Sequence, residues 1–238
     1  PFSNMFNTAA AGYDQNYRKY GIGSYIITSM AGEGKYKVLN FFLSGAYEIS
    51  VDPTFRHNLL TGIQVGVFHS SFDRSALLFE NQYSLSEGGF DPNRESGENF
   101  NRTSTLRLDA AIGGFYKFQD NARLLNPFIG LSVLHALSPN LSYYNNVSRY
   151  PVKLSLYAGT DIHLSPSFQI SPRLLVTQQS QERIYDGGIM SYYDLRNKEA
   201  KKYTGIMFDN HEIITAHAGL QVGSNIYRIS YGFNTFFN

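Results

Sequence analysis

The stretch Val152–Leu164, VKLSLYAGTDIHL, alternates almost without error. Val152, Leu154, Leu156, Ala158, Thr160, Ile162 and Leu164 point one way, and Lys153, Ser155, Tyr157, Gly159, Asp161 and His163 point the other. A period of two is the signature of a β-strand, here one with an apolar face and a polar face. The alternation alone leaves the solvent open. A water-soluble sheet buries its apolar face, whereas a membrane barrel turns that face to lipid.

The same pattern recurs along the chain. In Thr103–Phe118, Leu106, Leu108, Ala110 and Ile112 oppose Arg107, Asp109 and Lys117. In Tyr36–Ser50, Leu39, Phe41, Leu43 and Tyr47 oppose Asn40, Ser44 and Glu48. Leu59, Ile63, Val65 and Val67 form one face of Asn58–Ser70, with Gly62 and Gly66 on the reverse. Ile170, Leu174 and Val176 oppose Gln169, Ser171, Arg173 and Thr177, and Ile214, Ala216, Ala218 and Leu220 oppose Thr215 and His217. Turn signals such as Asp52-Pro53 and Ser165-Pro166-Ser167 separate the runs. Two longer polar stretches, Ser86–Arg102 and Ser138–Tyr150, interrupt them, and no long window carries a helical period.

Strand length decides between water and lipid. Globular strands average about five or six residues, while these runs hold phase for about ten to fifteen, beyond the roughly nine to eleven that cross a bilayer. The expected fold is all-β: an antiparallel transmembrane β-barrel of the bacterial outer membrane, with about 10–14 strands. A cation facing lipid at the midplane costs about 2–4 kcal/mol. Arg107, Asp109, Lys153, Asp161, His163, Arg173 and His217 are accordingly expected to face the lumen. Leu106, Leu108, Ile112, Leu154, Leu156 and Ile162 are expected to face lipid. Tyr36, Tyr47, Tyr116 and Phe118, near strand ends, are expected to form interfacial girdles. A soluble β-sandwich or lipocalin-like barrel is the alternative architecture.

Composition narrows function. The 238 residues suit one domain over 1–238, and the net charge of +1 gives no electrostatic footprint for nucleic acid. Cysteine is absent, which excludes disulfides, thiol catalysis and thiolate metal sites. No apolar run is long enough for a transmembrane helix, and no signal peptide is visible at Pro1, so the sequence reads as a mature chain. The six histidines show no zinc-chelating spacing. His211-Glu212 with nearby serines could assemble a hydrolase site of the kind found in some outer-membrane barrels, but serine in a barrel wall is ordinarily polar filler. The acidic loop of Glu87, Asp91, Glu95 and Glu98 lacks calcium-loop spacing. No catalytic residue, metal ligand or cofactor is expected. The mixed signs of the polar face, with Lys153 sharing it with Asp161, point to ion pairs across a filled interior rather than an ion-selective pore.

Several segments resemble the PorP/SprF family of the type IX secretion and gliding system of Bacteroidetes. Met5–Arg18, MFNTAAAGYDQNYR, is similar to the family's Asn-Pro-Ala-x-Ala-Gly opening, with Thr8 in place of the Pro. Ser29–Ser50 is similar to its Asp-x-Ala-Gly segment and following long strand, and YRISYGFN, Tyr227–Asn234, to its late Tyr-Arg strand. By this comparison residues 1–20 precede or plug the barrel, a strand pair is missing near Arg18–Gly21, and closing strands are missing after Asn238. The resemblance implies a non-enzymatic outer-membrane protein. Its partners would be outer-membrane lipid, the C-terminal domain of a secreted surface protein or adhesin, and other type IX components. A porin or substrate-specific channel is the alternative function.

Overall fold

The computed structural model describes residues 6–234 except 33, 51, 85–87, 92, 121, 196–199, 211–212 and 223–224; residue 6 and the remainder of 221–228 and 232–234 are described by their backbone only. His211, Glu212 and Glu87 therefore lie outside the described residues. The chain runs β1 (Phe6–Tyr17), β2 (Tyr20–Ala31), β3 (Tyr36–Ser50) and β4 (His57–Ser71). Two short strands follow, β5 (Tyr83–Ser84) and β6 (Gly89–Phe90), and then β7 (Ser104–Phe118), β8 (Leu125–Leu134), β9 (Lys153–Ser165) and β10 (Phe168–Gln179). β11 (Glu182–Asp194), β12 (Ala200–Asp209), β13 (Ile213–Val222) and β14 (Asn225–Asn234) complete the order. All but β5 and β6 form a single 12-stranded sheet in sequence order, every neighbour antiparallel. β5 and β6 pair only with each other.

Twelve strands fall inside the expected range. Among the described residues no ladder joins β1 to β14, so the expected barrel is observed as a continuous antiparallel sheet without its closing seam. One other expectation is corrected. Phe6–Tyr17 is neither leader nor plug but the first strand, paired with β2 along its whole length. Tyr17 faces Tyr20 across a two-residue hairpin whose first residue, Arg18, takes φ 55°. A positive φ there matches the hairpin's twist to that of its strands.

An up-and-down order sends successive connections to opposite ends of the sheet. One end carries short turns, among them 18–19, 51–56, 119–124 and 166–167. The other carries both long connections, 72–103 and 135–152.

Register fixes the faces. Opposed residues share a face, so pairs such as Val65↔Ala110, Ile63↔Ile112 and Leu131↔Leu156 carry one apolar surface from strand to strand. Leu106, Leu108, Ile112, Leu154, Leu156 and Ile162 all lie on it. Every Asp and Glu in the strands, from Asp14 on β1 to Asp209 on β12, lies on the opposite, polar face. Cations on the apolar face are confined to strand ends, at Lys37, Arg183 and Lys202. Tyr47, Tyr116 and Phe118 sit on the apolar face near the short turns, where Tyr20 meets Tyr47 and His57 meets both Tyr116 and Phe118. Tyr36 falls on the polar face instead, because the period of two carries it there from Phe42 and Asn40.

Burial is inverted relative to a soluble domain. The most deeply buried side chains are Asn126, Asp109, Ser70 and Ser171, while Leu108 is 71% and Ile112 57% exposed. The polar face also holds the large buried apolar groups, Phe42, Phe68, Phe128, Met190 and Tyr203. Glycines make room for some of them. A Cβ on Gly66 would stand 2.8 Å from the Phe42 ring, and one on Gly159 would collide with the Phe128 ring.

Candidate functional site

The polar face carries two clusters, one toward each end. At the short-turn end, Asp161 on β9 pairs with Lys117 on β7 at 3.1 Å and accepts a 2.7 Å hydrogen bond from the Ser171 hydroxyl. Ser171 in turn accepts from Arg173 Nε at 3.1 Å, and Arg173 Nη2 donates to the Tyr192 hydroxyl. The Arg173 guanidinium also lies over the Phe128 and Tyr192 rings. His163 Nδ1 stands 3.0 Å from Asn126 Nδ2, and Asn126 Oδ1 accepts from the Asp120 backbone N–H at 2.7 Å. These groups border a polar cavity of about 920 Å³ that extends to Lys201, which pairs with Asp194 at 3.3 Å. Alternation along six strands, β7 to β12, places these side chains on one face, and adjacent registers bring them to one height.

At the long-loop end the chain folds back onto its own polar face. His135 leaves β8 with φ 56°, a left-handed turn uncommon for a residue with a Cβ. Its Nδ1 reaches buried Asp109 at 2.5 Å. Arg107 Nε donates to the Asn140 carbonyl at 2.9 Å. The Tyr143 hydroxyl donates to Ser70 at 2.7 Å, and the Tyr150 ring packs on Phe68 and edge-on to His135. Segment 135–150 is thus held on the polar face of β4 and β7 by side chains from both strands.

The two long connections are locked together. Phe72 contacts Phe100 and Tyr143, Phe100 contacts Phe79 and Tyr144, and Arg74 lies over the Phe100 ring. The Asn101 N–H donates to the Tyr143 carbonyl at 3.1 Å, and the Tyr144 hydroxyl to Glu98 at 3.0 Å. Desolvation first, and then the neighbouring Glu98, raises the Tyr144 hydroxyl above the ordinary tyrosine range. The outer surface of this assembly presents Leu78, Phe90, Leu137 and Val147, the last 69% exposed.

The sequence-derived polar residues therefore divide. Asp161, His163 and Arg173 meet at the short-turn end, and Arg107 and Asp109 serve the loop at the other. Lys153 belongs to neither cluster, and His217 bonds Ser230 on β14. Among the described residues the Lys117–Asp161 ion pair runs along the sheet, between strands only two apart. Lys117, Asn126, Ser171, Tyr192 and His135 complete the clusters. Their faces follow from alternation, but only the strand registers show which of them meet. Among the described residues no group of three or more His, Asp or Glu could hold a metal ion, and no described helix is long and apolar enough to cross a membrane.

No curated protein matches the chain at a significant level. A family model, however, matches residues 2–238, essentially its full length. The chain belongs to the PorP/SprF family of type IX secretion system membrane proteins.

Proposed function

We propose that this protein is a closed outer-membrane β-barrel that binds a secreted surface protein, of the adhesin type, at its long-loop end for the type IX system. It does so without catalysis. The observation that carries the membrane part is the inverted burial: Asp109 and Asn126 are each 1% exposed, while the apolar face is bare of every strand acid. In lipid an unpaired sheet edge is not tolerated, so β1 and β14, which run antiparallel in this order, become each other's partners on closure. Leu106, Leu108, Ile112, Leu154, Leu156 and Ile162 then face lipid, and the polar clusters face the lumen.

The docking part rests on the loop assembly. Outer-membrane barrels keep their turns short on the periplasmic side and their loops long outside, which puts 72–103 and 135–152 at the cell surface. An aromatic-locked platform with exposed Leu78, Phe90 and Val147 has the composition of a protein-binding surface. The in-folded 135–150 segment favours an occluded interior over a passive channel.

The test is affinity capture of the tagged chain from native membranes. Recovery of a surface protein, reduced when Val147→Asp and Leu78→Asp are introduced, is the expected result. Recovery of the barrel alone, or capture indifferent to these changes, overturns the docking assignment.

A further inference from the structure

Near the polar cavity lies a second concavity of about 510 Å³, and its lining is mostly apolar, interrupted by Ser44, Gln64, Ser132 and Ser155, although it sits on the polar face. Leu60, Ala111, Phe115, Leu134, Tyr157 and Leu175 line it, and glycines leave the wall thin. Its volume falls within the range of about 300–1,000 Å³ typical of small-molecule pockets. The segment 135–150 covers the long-loop side of the same face, so the approach is from the short turns.

Arg173 lies between the two cavities. It lines the polar one. Its guanidinium faces Phe128, whose ring is 5.3 Å from that of Tyr157 in the apolar one, and it also interacts with the Tyr157 hydroxyl. Its neighbours supply hydroxyls and ring faces, and among the described residues no carboxylate lies within ion-pair distance of it. Asp161, the nearest acid in its network, is already engaged by Lys117 and Ser171. A half-buried cation without a counter-charge is costly. The polar cavity as a whole is lined by Lys117, Arg123, Arg173 and Lys201 against Asp161 and Asp194.

We infer that the interior binds a single-chain amphiphile with an anionic head, a long-chain carboxylate, its alkyl chain in the apolar cavity and its head on Arg173. The head would take the open coordination of the guanidinium with help from Lys117 and His163. The chain would displace poorly held water from an apolar wall, the usual source of chain-length-dependent affinity. This rests on the polar face forming an interior but is independent of cargo capture, which uses the loops.

The experiment titrates the purified full chain in neutral detergent with cis-parinarate, followed by displacement with carboxylates from octanoate to palmitate and with the matching alcohols. The expected result is saturable binding in which longer chains compete better and carboxylates beat alcohols by about tenfold or more. Arg173→Gln should remove the carboxylate advantage while leaving alcohols unchanged. Ala111→Phe should weaken long chains of either kind, and Lys153→Gln, outside both cavities, should change nothing. Non-saturable uptake, equal affinity for carboxylates and alcohols, or indifference to Arg173→Gln overturns the assignment. Capture of surface protein from membranes would be unaffected by any of these outcomes.

Discussion

At the scale of single residues, a strand offers each side chain only two directions, so Arg107, Asp109, Asp161 and Arg173 share one face of the sheet while Leu108, Ile112 and Leu156 share the other. On the membrane reading Ile112, central in β7, lies at the bilayer midplane. Ile112→Arg should then cost about 2–4 kcal/mol in lipid, measured as a shift in the urea midpoint of folding into vesicles, while a soluble sheet would lose almost nothing. Glycines were less legible. Gly45 and Gly66 look alike in sequence, yet a Cβ on Gly45 meets nothing, whereas one on Gly66 would stand 2.1 Å from the Phe41 carbonyl. Gly66→Val is expected to destabilise by about 1–3 kcal/mol or more, and Gly45→Ala to stay within about 0.5 kcal/mol. The same urea titration compares them.

At the scale of elements, strands could be read and loops could not. Ser138–Tyr150 reads in sequence as a solvated connection, because nothing local to it announces that His135, Asn140, Tyr143 and Tyr150 meet partners on β4 and β7. Those contacts span up to 73 positions along the chain, as from Tyr143 to Ser70. The His135–Asp109 pair holds the fold-back at its root. Removing one partner of a buried pair leaves the other uncompensated, at a cost of about 3–5 kcal/mol. His135→Leu alone should therefore destabilise more than His135→Leu combined with Asp109→Asn. A loss in the double mutant equal to the sum of the two single losses would mean that the pair is not coupled. The short turns carry a pH dependence of their own. Asp52 is held below the usual carboxylate range by the Thr54 hydroxyl and the His57 N–H, and Asp120 by the Ala122 N–H and Arg56. A depressed folded pKa gives stabilisation that is complete above the unfolded value and lost as pH falls through the folded one. Amide exchange at His57 and Ala122, corrected for its intrinsic pH dependence, should accelerate only below the ordinary carboxylate range, and in Asp52→Asn the step at His57 should vanish.

At the scale of the whole molecule, antiparallel order converts chain connectivity into sidedness. Loop length alone could not assign sides, because the length of a connection does not say to which end of the sheet it returns. Once the strand order is known, 72–103 and 135–152 share one end and 51–56, 119–124 and 166–167 share the other. The apolar face adds an independent constraint. Tyr17, Tyr20 and Tyr47 mark its short-turn margin, and Tyr185, Phe208 and Tyr231 its opposite margin, as two aromatic girdles would. With long loops outward, Val147 is at the cell surface and Leu124, in a short turn, is periplasmic. Both are more than half exposed, so access rather than burial governs their reactivity. The chain has no native cysteine to confuse the readout. In intact cells a membrane-impermeant maleimide should label Val147→Cys and leave Leu124→Cys unlabelled until the outer membrane is permeabilised. The reverse pattern would invert the molecule and move the loop platform to the periplasm. Labelling of both before permeabilisation would remove it from the membrane altogether.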